Sequence, residues 1–337
     1  TIEKNGDAWA TKPESYITNG AFYISEWVPS SYIMFKKNPY YRDADSIKLD
    51  SIKLLLIEDA NASYAAYQTG EALMVKDVPT AEIPALKGKE DFHIEPILGT
   101  YYISLNDSLK QFSDPRVREA LSLAIDRNYM AETLTQGVYT PATNFIGTGV
   151  SDWDNSAFMA NANGGKPYID AEDHAGNLAK AKQLLADAGY PNGEGFPTIN
   201  YSTNDAGYHK VFAQYVQQAW KELGVNANVD VVEWASFTPM RRAGDYEISR
   251  NGWVCDYNDP SNMLDLFYST NGNNDGKYNN PEYDAAMDKA AAEVDPKTRS
   301  GYLHEAEDIL MKDAACIPIA YYNDFYLQSS KVTGSWH

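Results

Sequence analysis

The stretch after residue 190 constrains the fold more than any other part of the chain. Strand-like runs at 198–202, 226–232 and 246–253 alternate with helix-like repeats at 208–223, 281–294 and 297–313. In the first of these repeats Val211, Phe212, Tyr215, Ala219, Trp220 and Leu223 recur at helical spacing, and Gly224 ends it. Strands that alternate with helices build an α/β lobe. A last strand is expected at 317–323.

Upstream, residues 21–27 and 31–37 alternate around Pro29-Ser30 and predict a hairpin. A strand fits 51–57, and a short helix fits 60–70, closed by Gly70. Residues 92–106 read as two strand pieces broken near Gly99, because an unbroken strand of that length is unusual. Such a break suits a crossing between lobes. Asp114-Pro115 starts a helix with Pro at its first position, and Val117, Leu121, Ala124 and Ile125 form its apolar stripe. The Gly-, Asn- and Asp-rich residues 137–176 predict a long surface loop, and 177–188 an amphipathic helix ended by Gly189.

Net charge is −19, which argues against nucleic acid and anionic membranes as partners, since both need clustered Lys and Arg. Two cysteines, Cys255 and Cys316, are too few for a disulfide scaffold and read as buried thiols. No run reaches the ~18 apolar residues of a membrane span. The chain opens on Thr1 without a signal segment, and a targeting segment is expected to lie outside it. The 25 tyrosines and 7 tryptophans suit wet binding surfaces, although most such rings fill half-exposed strands. Catalytic signatures are missing: no G-x-S-x-G, no Walker A loop, no H-E-x-x-H. The five histidines (93, 174, 209, 304 and 337) show no metal spacing, and no cofactor is expected.

The most specific segment runs from Arg250 through Gly252, Trp253, Asp256 and Tyr257 to Pro260. It resembles the R-x-G-W-x-x-D-Y-x-x-P signature of oligopeptide-binding proteins of ABC importers, the peptide/nickel class of family 5 solute-binding proteins. Other blocks follow in the family's order. They are Asn19-Gly20-Ala21-Phe22 with Trp27, Asn38-Pro39-Tyr40, Phe112 to Arg118 with Ala124-Ile125-Asp126-Arg127, Ala188-Gly189-Tyr190, and Glu233-Trp234. The resemblance covers nearly the whole chain. It implies an α/β, two-lobed, class II periplasmic-binding-protein-like fold with mixed sheets. Residues 1–98 with 320–337 would form the first lobe and 99–319 the second. It also implies a piece of a longer protein, lacking an extra N-terminal domain and the start of the first lobe.

The resemblance implies that short peptides are captured between the lobes and delivered to the membrane permease of an ABC importer, without chemistry. Asp256 matches the carboxylate that grips the peptide's α-ammonium. Arg250 and His209 match residues that receive the carboxylate of short peptides. Trp253 and Trp234 match side-chain-pocket walls, and Tyr102 and Tyr322 lie in the matching interlobe strands. Cys255 follows the signature Trp by two positions. The Cys that some members place directly after that Trp is Val254 here, and Gly99 stands at its partner's position, so the family bridge is absent. A monomer in the periplasm, or lipid-anchored on the outer face of the membrane, is expected. Other readings are a dipeptide, oligosaccharide or metal-chelate ligand on the same fold, a peptide-pheromone receptor, and a carboxylate-dependent hydrolase. Asp256 with Arg250 favours a zwitterion, since a sugar needs neither charge. The spacing of six also keeps the two on one side of a regular strand.

Overall fold

The computed structural model describes residues 2–76 and 78–334, so His337 lies outside the described residues. The chain divides into two units: Thr1–His93 with Phe325–His337, and Ile94–Asp324. The crossings expected at 98–99 and 319–320 both fall inside the second unit by this division.

Unit 1 opens its sheet with a hairpin. β1 (Phe22–Val28) and β2 (Tyr32–Lys37) pair antiparallel, and β3 (Ser51–Leu55) adds to the far edge of β2. α1 (Ala60–Gln68) starts at Asp59, whose carboxylate accepts the Ala62 amide and so satisfies one free N–H of the first turn. β4 (Met74–Lys76) pairs with the end of the last strand, Val75 opposite Leu327. Ile83, Leu86, Phe92, Tyr326 and Leu327 are buried here.

β5 (Phe92–Leu105) leads into unit 2 as one unbroken strand, not the two pieces expected. Gly99 remains in the ladder, opposite Val254. A β-carbon there would stand 2.7 Å from the Trp253 carbonyl oxygen and 3.0 Å from the Tyr322 ring. The glycine therefore serves close packing rather than a break. α2 (Pro115–Leu123), capped by Asp114, buries Val117, Ala120 and Leu121 and packs on α3 (His174–Asp187). β6 (Ile199–Thr203), α4 (His209–Lys221), β7 (Ala227–Val231), α5 (Trp234–Ala243) and β8 (Ile248–Val254) follow. α5 was not among the sequence expectations. Pro239 sits inside it and Arg241-Arg242 close it, which interrupts the helical pattern. α6 (Pro281–Ala292) and α7 (Pro296–Lys312) follow, and β9 (Cys316–Gln328) closes the unit at Asp324 and continues into the first.

The sheet of unit 2 runs β9-β5-β8-β6-β7. β8 is antiparallel to β5 and parallel to β6, which is parallel to β7. Successive strand residues point to opposite faces, so Tyr101, Ile103 and Ile248 enter one core with Phe212 and Trp220, while Tyr102 enters another with Phe145, Phe267 and Tyr283. The segment 137–176 is not a surface loop. Phe145, Ile146, Val150 and Phe158 are buried in the second core, and Thr140–Pro141 pairs with β9. Both cysteines are free thiols. Among the described residues no helix is long and apolar enough to cross a membrane.

Candidate functional site

The three parallel strands β6, β7 and β8 end on one edge of the sheet, the edge at which open α/β sheets bind ligands. Asn204 follows β6 directly, His209 opens α4, and Trp234 opens α5 after β7. β8 supplies Arg250 and Trp253, and Asp256 lies in the turn beyond it. Residues far apart in sequence are gathered by strand order alone.

Arg250 is 8% exposed. Its Nε donates to Asn204 Oδ1 at 2.7 Å, and its guanidinium lies 5.2 Å from the Trp234 ring centroid and 5.4 Å from that of Phe237. The titratable groups that act most strongly on its charge are Tyr101, Tyr322, Arg241 and Tyr201, His209 feels that charge in turn, and among the described residues Arg250 forms no ion pair. Burial pulls its pKa below the ordinary arginine value.

Two other buried arginines make a useful contrast. Arg127 donates to the carbonyls of Pro318, Ser122 and Ile125 and to Ser122 Oγ. Arg118 donates to the carbonyls of Phe112, Asp313 and Ala314. Their donors are spent inside the protein. Among the described residues, the terminal nitrogens of Arg250 have no such partner.

More polar groups surround it. The Tyr101 ring sits 5.5 Å from His209 and 6.1 Å from Tyr322, centroid to centroid. The Tyr101 and Tyr201 hydroxyls are buried and interact with each other, and the buried His209 Nδ1 has no hydrogen-bond partner among the described residues. Burial, and then the Arg250 charge, push His209 down to about 3, so its imidazole is neutral at pH 7. Burial raises Tyr101 well above the ordinary phenol and Tyr322 to about 12. A buried cation with free donors, beside two buried hydroxyls whose partners are each other, is complementary to an anion with several acceptor atoms.

The other pole is Asp256. β8 ends at Val254, so strand parity does not carry from Arg250 as far as Asp256. Asp256 is exposed, and its amide donates to Asn262 Oδ1 at 3.1 Å. Its carboxylate forms no ion pair among the described residues. Six residues of extended chain cover at most about 20 Å. An extended peptide of three to five residues covers about 10–17 Å.

The remaining expected residues sort differently. Trp234 is 51% exposed beside Arg250. Tyr322 lies across β5 and β8 above Gly99 and Gly252. Trp253 pairs with Thr100 and faces away from Arg250. Its indole N–H donates to Asn262 Oδ1 at 2.9 Å, and its ring packs on the second core. Cys255 packs on that core too, and burial, then the charge of Asp256, push its thiol up to about 11. Tyr102 is a correction. It is 3% exposed, locked between Phe145 and Phe267, because strand alternation turns it to the face opposite Tyr101. Tyr101, Tyr201, Asn204, Phe237 and Asn262 were missed. Only Phe237 carried a local signal, three residues after Trp234 on a helix.

A family model described as bacterial extracellular solute-binding proteins, family 5 Middle, matches residues 1–275. Oligopeptide-binding protein OppA of Bacillus subtilis is 32% identical over 344 residues, covering 99% of this chain and 61% of OppA. Among solved structures, a periplasmic oligopeptide-binding protein from Borrelia burgdorferi gives a TM-score of 0.84 at 31% identity, over 100% of this chain and 65% of that one. Haemophilus influenzae OppA in complex with RPPGFSPFR gives 0.82 at 30% identity, over 99% and 64%. The chain spans less than two thirds of the length of these relatives.

Proposed function

This chain belongs to family 5 of the bacterial extracellular solute-binding proteins, a family of transporter binding proteins rather than enzymes, and from that premise we propose that it captures short peptides by both charged ends. Arg250, with the neutral His209 and the Tyr101 and Tyr201 hydroxyls, receives the peptide carboxylate. Asp256 receives the α-ammonium. Trp234 and Tyr322 border the peptide's side chains. The protein acts as a monomer on the extracytoplasmic side, in the periplasm or anchored by lipid, and passes its ligand to the permease of an ABC importer. It binds without covalent chemistry.

One observation carries this reading: Arg250 is buried and forms no ion pair among the described residues. Desolvating a guanidinium is costly, and a ligand carboxylate offsets that cost. The two ends should count unequally. Removing one partner of a buried charge pair costs about 2–5 kcal/mol, whereas an exposed pair contributes about 0–1 kcal/mol. Calorimetric titration with trialanine, its C-terminal amide and its N-acetyl form tests this. The amide is expected to bind about thirtyfold more weakly or worse, and the N-acetyl form up to about fivefold more weakly. Equal affinities for acid and amide would remove the carboxylate from the reading.

A further inference from the structure

Asn262 sits in the one-turn helix Ser261–Leu264 and is buried. Its side-chain carbonyl accepts two hydrogen bonds, from the Trp253 indole N–H at 2.9 Å and from the Asp256 amide at 3.1 Å. One donor belongs to the end of β8 and the other lies in the turn just beyond it. One oxygen therefore sets the rotation of the indole and the direction of the backbone that carries Asp256.

The surrounding turn is held on every side. The Cys255 amide donates to the Leu98 carbonyl at 2.7 Å. Asn258 accepts from the Ser151 amide at 2.8 Å and donates to the Gly149 carbonyl at 3.2 Å. Asp259 takes two parallel bonds from Arg299, at 2.8 and 2.9 Å, and accepts the Ser261 amide at 2.9 Å. The Asn262 amide in turn donates to the Asp259 carbonyl at 3.1 Å. The chain is thus fixed at 255, 258 and 259, and at 256 the fixing group is the Asn262 side chain.

We infer that Asn262 is a positioning residue for the ligand's ammonium: it holds Asp256 and Trp253 as one rigid element. This rests on the reading of Asp256 given above. An acceptor oxygen is what the position requires. Asparagine supplies it without charge, while an aliphatic side chain would leave an indole N–H and an amide N–H buried without partners.

The test is the ratio of affinities for trialanine and N-acetyl-trialanine, measured beside the ratio for the acid and its amide. Asp256→Asn gives the yardstick, a fall in the first ratio from a factor of up to about five towards one. Asn262→Ala is expected to match that fall and to leave the acid-to-amide ratio unchanged. Asn262→Asp, which keeps both acceptor bonds and adds a negative charge beside the ammonium site, is expected to hold the first ratio at or above that of the parent. Indole fluorescence should report the released Trp253 only in Asn262→Ala. Should that variant fail to fold, Asn262→Ser, with too short a side chain for both bonds, carries the same expectation. An undiminished first ratio in Asn262→Ala or Asn262→Ser overturns the inference. Equal loss of both ratios overturns it too, since that marks a general packing role. An unchanged first ratio in Asp256→Asn refutes the ammonium reading itself, and the positioning role falls with it.

Discussion

The hydroxyl of Tyr322 rests above the α-carbon of Gly252, so close that a β-carbon at residue 252 would stand 2.2 Å from Oη. Gly252 is the neighbour of Arg250 on the same face of β8, and the missing side chain lets the phenol ring lie flat across two strands. Gly252→Ala is expected to push the ring off the strand, costing about 1–3 kcal/mol of stability and weakening trialanine binding. In a Tyr322→Ala background the same substitution should cost little. Urea denaturation of the four proteins of that cycle measures the coupling. Equal costs in the two backgrounds would show that the ring is not what excludes the methyl group.

His209 links folding to pH. Its folded pKa, about 3, lies below the ordinary 6.5 because burial and Arg250 disfavour the imidazolium. The stability this group contributes is complete above about pH 6.5 and is lost as pH falls towards 3. The slope can reach about 1.4 kcal/mol per pH unit. His209→Gln is expected to flatten the fall in stability between pH 6 and pH 4, read by urea denaturation at each pH. Identical slopes in the two proteins would mean that His209 takes up its proton while folded.

Glu307 has the opposite sign. It is fully buried, with Oε1 accepting the Ile146 amide at 2.8 Å and the Phe145 amide also facing the carboxylate. Burial, with help from the Asp308 charge, pushes it up to about 8. Its contribution is complete below about pH 4.5 and is lost as pH rises through 8. Glu307→Gln keeps the acceptor and removes the charge. The variant should melt about 2–4 °C or more above the parent at pH 8 and level with it at pH 4.5. Scanning calorimetry at both pH values decides this, and a variant that melts lower at pH 8 contradicts it.

Arg127 should behave as a structural residue. Arg127→Met strands the carbonyls of Pro318, Ser122 and Ile125 in the interior, at an expected cost of about 3 kcal/mol or more. The acid-to-amide ratio of the folded variant should not move, whereas Arg250→Met abolishes it. A change in that ratio for Arg127→Met would break the distinction drawn between spent and unspent guanidinium donors.

Local chemistry made much of the fold legible. Asp114-Pro115 starts its helix as read, since a capping carboxylate followed by proline suits only a first turn. The strands at 198–202, 226–232 and 246–253 stand within a few residues of their expected limits. What stayed hidden depends on partners. Gly99 looks like a break until Tyr322 and Trp253 are packed against it. Tyr101 and Tyr102 are indistinguishable until the sheet assigns each a face. Asn204 and Tyr201 meet Arg250 only because β6 lies beside β8, a relation that strand order creates and no short window contains.

The topology also makes one order of assembly cheaper than another. Unit 1 is split in sequence, and its strand β4 waits for a partner that arrives only with Leu327. Bringing Val75 and Leu327 together in an unfolded chain closes a loop of roughly 250 residues, an entropic cost that the single short pairing repays poorly. Once Ile94–Asp324 has folded, β5 and β9 lie side by side in one sheet, and the two ends of that loop are delivered as neighbours. Folding Ile94–Asp324 first would therefore lower the entropic cost of completing the first unit. On that route a lesion inside Ile94–Asp324 would be felt as a failure of β4, a strand that segment does not contain.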